Sequence, residues 1–495
     1  MSAAPGIVGV TLVALATLAI GTFGLRLSRT TSDFFVASRT VNPRLNASAI
    51  GGEYLSAASF LGIAGLVLTA GAQMLWYPIG WTAGYLLLLV LVAAPLRRSG
   101  AYTLPDFAEA RLGSRGVRAL CSVLVVAVGW LYLLPQFQGA GITLREVAGA
   151  PTWLGPLLVG AVVLANVSAG GMRSVTFVQA FQYWLKLTAL LLPAAVLLAV
   201  WAGDGAPRVA VGGDWSLPLA GDGAHGLYTT YSIIVATFLG TMGLPHVVVR
   251  FYTNTDGRAA RRTTLVVLVL LGVFYLIPPV FGALGRAYGA TDSADTVVLQ
   301  LPRLMLDGGL GEMLTGLVAA GAFAAFLSTS SGLTIAVAGV ISQDLIGRLA
   351  WTRRVDGVRA FRLATVVAVA VPCVAAVVVA HVGVAQAVGL AFAVAASTFC
   401  PLLLLGIWWR RLTDLGAVAG LVVGFAGSGL SVLWTFVGLP AGGWWHVLLA
   451  QPAAWSVPLA FVVMIGVSLA TRRRVPAHTT RLLVRLHTPE VLHPT

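Results

Sequence analysis

Ser328-Thr329-Ser330-Ser331 stands in the middle of an apolar segment that runs from about Leu310 to Ile341. Burial alone does not repay the dehydration of four adjacent hydroxyls in lipid. They must bond to their own helix, to a partner segment or to a bound ion. An inert anchor has no use for such a cluster, so it points to a transporter. The chain has 495 residues, of which 58% are hydrophobic and 10% charged, and only a bilayer calls for that much apolar sequence.

Apolar segments of membrane length fall at roughly 4–25, 47–70, 73–95, 118–144, 151–169, 174–201, 227–249, 263–285, 310–341, 363–383, 386–409, 416–438 and 452–470. The expectation is an all-α polytopic membrane protein of about 13 transmembrane helices. The first segment lacks a basic leader region and reads as a retained helix rather than a cleaved signal. The formal net charge of +14 does not indicate nucleic acid, because the basic residues sit in short loops between spans. With the N-terminus outside, the inner loops and helix ends hold all 31 Arg and Lys residues except Arg145, Lys186, Arg208, Arg286 and Arg303. That bias predicts N-out, C-in topology. Cys121, Cys373 and Cys400 all lie in apolar stretches and show no metal-ligand or disulfide spacing. There is no phosphate-binding loop and no room for a soluble catalytic domain, so neither ATP-driven pumping nor an enzyme is expected. Asp106, in Thr103-Leu104-Pro105-Asp106, reads as a capping or docking residue of an inner-loop helix.

Two spans carry the composition of broken helices. Gly51-Gly52-Glu53-Tyr54-Leu55-Ser56-Ala57-Ala58-Ser59 is poor in bulky groups, and an unwound segment there would offer carbonyl oxygens to a small cation. Helix packing explains the same glycines and serines equally well. Glu53 is either a cation or gating residue or an interfacial carboxylate paired with a loop arginine. Thr237-Phe238-Leu239-Gly240-Thr241-Met242-Gly243-Leu244-Pro245-His246 is the second candidate break. His246 could shuttle a proton or serve as a structural hydrogen-bonding residue near Arg250. Ser328 and Thr329 offer hydroxyls, and Ala325 a carbonyl, to a hard cation. Alternatively, the hydroxyls bond back to carbonyls of the preceding turn. Lys186 falls near mid-depth in the span 174–201. It either attracts an anionic substrate or ties helices together through an acidic partner. Tyr54, Gln73, Trp76, Tyr77, Tyr132, Gln136 and Gln138 are candidates to line a polar cavity, although aromatics at span ends also anchor interfaces.

These motifs resemble the sodium:solute symporter family over nearly the whole chain. Asp33-Phe34-Phe35-Val36-Ala37-Ser38-Arg39, Asn46 and Ser56-Ala57-Ala58-Ser59-Phe60-Leu61-Gly62 resemble its first inner loop and first core helix. Gly170-Gly171-Met172-Arg173-Ser174-Val175-Thr176 is similar to its glycine-rich turn. Gly243-Leu244-Pro245-His246-Val247-Val248-Val249-Arg250-Phe251-Tyr252 and the tail Arg485-Leu486-His487-Thr488-Pro489-Glu490 are similar to the cation/acetate (monocarboxylate) branch. Glu53 departs from the aspartate that the acetate branch often carries.

The resemblance implies a five-plus-five inverted-repeat core of the LeuT-like type. Residues 1–46 would be an extra N-terminal helix and inner loop, and 47–409 the ten-helix core. Residues 410–470 would be two peripheral helices, and 471–495 a cytoplasmic tail. Sodium would be held by Gly52 and Leu55 of core helix one and by Ala325, Ser328 and Thr329 of core helix eight. Glu53, Ser56, Ser59, Gln136, Lys186, Thr241 and His246 remain as substrate or gating candidates.

The function implied is sodium-coupled uptake of a small monocarboxylate such as acetate, propionate or pyruvate in a bacterial-type inner membrane. Sodium would be the coupling ion, with no cofactor and no obligate protein partner. A sodium- or proton-coupled carrier of an amino acid such as proline, or of a sugar, is the alternative. A transporter-like solute sensor is a further one.

Overall fold

A computed structural model describes residues 4–25, 37, 41–209, 215–219, 223–290, 294–346, 357–379, 382–440 and 442–489. The expected Asp33–Arg39 motif, Ala37 apart, and Glu490 of the tail motif lie outside the described residues. The described structure is helical: α1 (Ala4–Leu25), α2 (Pro43–Tyr54), α3 (Ile63–Ala70), α4 (Trp76–Leu87), α5 (Ala93–Arg98), α6 (Leu104–Leu112), α7 (Arg115–Ala148), α8 (Leu154–Gly203), α9 (Ala224–Gly243) and α10 (Pro245–Val249). Then come α11 (Gly257–Tyr275), α12 (Pro278–Ala287), α13 (Val297–Met305), α14 (Gly309–Val340), α15 (Gly357–Val378), α16 (Val384–Trp408), α17 (Asp414–Val437), α18 (Gly443–Ala450), α19 (Ala453–Ala470) and α20 (Thr479–His487).

Among the described residues, 11 helical runs are long and apolar enough to cross a membrane, against the 13 expected. The count falls short where backbone bends rather than loops join neighbouring segments. Ala58–Arg98 is one run of 41 residues, covering ground where two spans were expected to meet. Leu154–Gly203 is one run of 50 residues. A straight helix of that length would reach about 75 Å, more than twice the ~30 Å of a hydrocarbon core. It is not straight. Gly171 sits at φ 56°, ψ −153° and kinks α8 within the Gly170–Thr176 motif. Hydropathy reads the bend as a loop because Arg173 and small residues interrupt the apolar run there.

Both expected helix breaks are present. α2 ends at Tyr54, Leu55 turns out of the helix at ψ 88°, and a wide π turn restarts at Ala58–Gly62. α9 ends at Gly243, Leu244 is extended at ψ 118°, and Pro245 opens α10, where its missing N–H costs nothing. By contrast, α14 runs unbroken through the four hydroxyls. Asp106 serves both expected roles. It closes a capping box with Thr103 at the start of α6 and pairs with Arg118 at 2.7 Å. Arg118 also reaches Glu109 and Asp344, each at 2.6 Å, tying α7 to the chain that follows α14.

α14 and α2 both pack on α8, and α9 packs on α16 and α4. Close approach of backbones sets this arrangement. A side chain at Gly52 would strike the Gln179 carbonyl, and one at Gly332 would strike the Glu53 carboxylate.

Gly171→Ala should destabilise the protein by about 1–3 kcal/mol, since that backbone region is essentially restricted to glycine. Thermal unfolding of the purified variant checks this, with Gly203→Ala, where a Cβ meets open space, as the neutral comparison.

Candidate functional site

In lipid, a broken helix exposes carbonyls that water does not reach, and each needs a donor. At the α2 break the donors come from α14 and α8. Ser328 Oγ faces the Gly52 carbonyl at 2.7 Å and the Ala325 carbonyl at 3.1 Å. Lys186 Nζ donates to the Gly52 carbonyl, to the Leu55 carbonyl at 2.7 Å and to Ser328 Oγ at 2.9 Å. Thr329 Oγ1 donates to the Glu53 carbonyl at 2.6 Å. The structure thus gathers Gly52, Leu55 and Ser328 around Lys186 Nζ, with the Ala325 carbonyl reached through Ser328 Oγ, while Thr329 bonds to the Glu53 carbonyl of α2. Expected readings change at three residues. Lys186 meets neutral oxygens rather than an acidic partner. The Ser328 and Thr329 hydroxyls reach across to α2 rather than only back along α14.

A second buried network lies beside the first. Arg250 is 1% exposed, and its Nε donates to Glu53 Oε2. Its Nη1 donates to Thr176 Oγ1 at 3.0 Å and its Nη2 to Gln179 Oε1. Gln179 Nε2 in turn donates to the Ser328 carbonyl at 2.7 Å. Glu53 does pair with an arginine beside a loop, but it is buried rather than interfacial, at 2% exposed.

The remaining candidates lie about the unwound residues 55–56 and the second break. Gln136 Oε1 accepts from the Ala57 amide at 2.9 Å, and Ser59 Oγ meets the Tyr275 hydroxyl at 2.9 Å. The Tyr54 hydroxyl shares a 2.7 Å hydrogen bond with Thr241 Oγ1, which spans from the first break to the helix before the second. Ser56 is buried at the break itself. His246 contradicts its structural reading: neither ring nitrogen has a hydrogen-bond partner among the described residues. Its ring instead meets the edge of Tyr132 at 5.3 Å. Trp81 Nε1 and the Tyr85 hydroxyl are likewise buried and unpartnered there. Phe392 of α16 joins these groups, with ring centroids 5.5 Å from Trp81, 5.8 Å from Tyr132 and 6.2 Å from Tyr54. Trp76 bonds the Pro218 carbonyl and Gln138 the Val379 carbonyl, so both are tied to other segments.

Sequence reasoning missed Arg250 as the partner of Glu53, and with it Thr176, Gln179, Trp81, Tyr85, Tyr275 and Phe392. One signal was present. Thr176, Gln179, Tyr183 and Lys186 recur at helical spacing and form a single polar stripe on α8. Phe392 carries no signal, being an aromatic in an apolar run.

With this geometry in place, similarity to known proteins identifies the class. The model of the sodium:solute symporter family matches residues 34–424. The chain belongs to that family: it is a secondary active symporter of the sodium-coupled class, a multi-pass membrane transporter and not an enzyme. An uncharacterized symporter, YwcA, of Bacillus subtilis (strain 168) is 30% identical over 501 residues, covering 95% of this chain and 96% of that one. A monocarboxylic acid transporter of Corynebacterium glutamicum is 31% identical over 483 residues, covering 88% of this chain and 87% of that one. In fold, the chain resembles a substrate-bound, outward-open Na⁺-coupled sialic acid symporter. The TM-score is 0.70 at 15% identity, with 93% of this chain and 98% of that one covered. It also resembles a nucleobase-cation-symport-1 family transporter in a closed conformation. There the TM-score is 0.58 at 13% identity, with 92% and 99% covered. At these identities the likenesses show a shared fold.

Arg250→Ala should cost about 3–5 kcal/mol, because it strands the Glu53 carboxylate in the protein interior. Thermal unfolding checks this. Arg250→Ala combined with Glu53→Gln should recover part of the loss, which a purely steric effect of Arg250 would not allow.

Proposed function

We propose that the protein imports a small monocarboxylate such as acetate, propionate or pyruvate by alternating access. The observation that carries this reading is the buried charge at the centre of the protein. Taken with Lys186 and Arg250 protonated and Glu53 ionised, the cluster carries two positive charges and one negative, and all three side chains are 2% exposed or less. The single positive excess suits one carboxylate, since a buried charge needs a counter-charge. Trp81 Nε1, the Tyr85 hydroxyl and the His246 nitrogens supply unused hydrogen-bonding capacity nearby. The aromatic rings of Trp81, Tyr132 and Phe392 favour a small, partly apolar solute. The printed name of the Corynebacterium glutamicum relative supports the same substrate class.

In this reading residues 47–409 form a five-plus-five inverted repeat, with one broken helix in each half. The joint between α2 and α14 holds one positive charge beside the first break. Solute binding at the two breaks closes the outer path and then opens the inner one. Each elementary charge entering across 100 mV contributes about 2.3 kcal/mol. The arginine distribution supports an N-terminus outside and a C-terminus in the cytoplasm of a bacterial-type inner membrane.

Proteoliposomes under an imposed sodium gradient and an inside-negative potential should accumulate labelled acetate, propionate or pyruvate in competition with one another. Proline or glucose competing in their place would overturn the substrate class. Tyr85→Phe should raise KM by about tenfold with a smaller change in kcat, as expected for losing one hydrogen bond to the solute.

A further inference from the structure

The family's coupling ion is sodium, and the oxygens at the α2–α14 joint are of the kind sodium prefers. In this chain, however, those oxygens already have a partner in the Lys186 amino group. An ammonium has three donors and no acceptor. Lys186 Nζ meets three oxygens: the Gly52 carbonyl, the Leu55 carbonyl and Ser328 Oγ. Its valence is therefore filled by the groups that sodium would need. No carboxylate among the described residues pairs with it. Glu53, the nearest acid along α2, is engaged by Arg250.

We infer that Lys186 is a tethered replacement for sodium at this joint, so that the family's sodium ion is not bound between α2 and α14 in this protein. Two arguments support this. The first is exclusion. Sodium and the ammonium carry the same charge and would share the same three oxygens in a low-dielectric interior. One can be there only if the other is not. The second is anchorage. Lys186 is fully buried, so its head group has no path to water along its own stem. The face of α8 that presents it is locked in place at Gln179. The Gln179 carbonyl abuts Gly52, its Nε2 bonds the Ser328 carbonyl, and its Oε1 accepts from Arg250. α8 therefore grips α2 and α14 from the side and inserts its own charge where an ion from solution would otherwise close the joint. The stripe Thr176, Gln179, Tyr183, Lys186 is the sequence mark of this device.

The inference depends on the symporter reading only for the choice of sodium as competing ion. The test is thermal unfolding of the purified full-length protein, in sodium chloride against potassium chloride at equal ionic strength. The wild type and Ser328→Ala should show no difference in their response to sodium. Lys186→Ala empties the joint and should acquire a sodium-specific rise of about 2 °C, lost again in Lys186→Ala/Ser328→Ala. A wild-type sodium response that Ser328→Ala abolishes would overturn the inference. So would a folded Lys186→Ala that stays indifferent to sodium. If Lys186→Ala does not fold, the comparison of wild type with Ser328→Ala decides alone. Uptake of labelled acetate by the wild type is measured separately. Its absence would remove the substrate assignment and leave the sodium result intact.

Discussion

The interior of this protein is organised around the open carbonyls of one interrupted helix. The chain leaves α2 at Leu55 in the middle of an apolar bundle, which opens the carbonyls of residues 52–55, and an unpaired carbonyl there costs several kcal/mol. Three side chains from two other helices answer that demand: Ser328 and Thr329 from α14, and Lys186 from α8. Each of these bonds reaches across more than 130 residues of chain, so these carbonyls are satisfied only in the assembled bundle. The unwinding of α2 and the packing of α8 against α14 are one structural event.

This constraint also accounts for the small residues. Donors at 2.6–2.7 Å from the carbonyls of the α2 break require the helix axes to lie closer than ordinary side chains allow. Gly52 against Gln179 and Gly332 against Glu53 provide that proximity. The price is a short list of positions where even a methyl group cannot be added. Neighbouring Arg250 follows the same logic with charge added. Its guanidinium spreads over Glu53, Thr176 and Gln179, a fork geometry that a lysine could not reproduce.

The two breaks were readable in the sequence because glycine, serine and proline act locally. Pro245 forbids the preceding helix from continuing smoothly, and Gly51-Gly52 weakens α2 wherever it lies. The hydroxyl cluster on α14 was readable for a similar reason, since polar groups in a span demand partners. What could not be read was which partner each would find. Lys186 was visible as an anomaly at mid-depth, but its three acceptors come from residues 52, 55 and 328. No local pattern connects them. Helical runs are fewer than the expected spans for a different reason. At Gly171 a positive φ bends the chain within a single helical run, and hydropathy cannot distinguish a bend from a loop.

The contrast between Lys186 and His246 separates the two halves of the site. Both are buried beside a helix break, and both were ambiguous as sequence. Lys186 has every proton engaged, so its surroundings are complete without a ligand. His246 has neither nitrogen engaged, and Trp81 and Tyr85 beside the same ring cluster share that condition. Buried polar groups left unsatisfied are costly and are retained where something else completes them. On the proposed reading, the fixed charge sits at the finished network and the exchangeable solute at the open one. A carboxylate, which only accepts hydrogen bonds, suits the indole and phenol donors of the open network and finds no vacancy at the closed one.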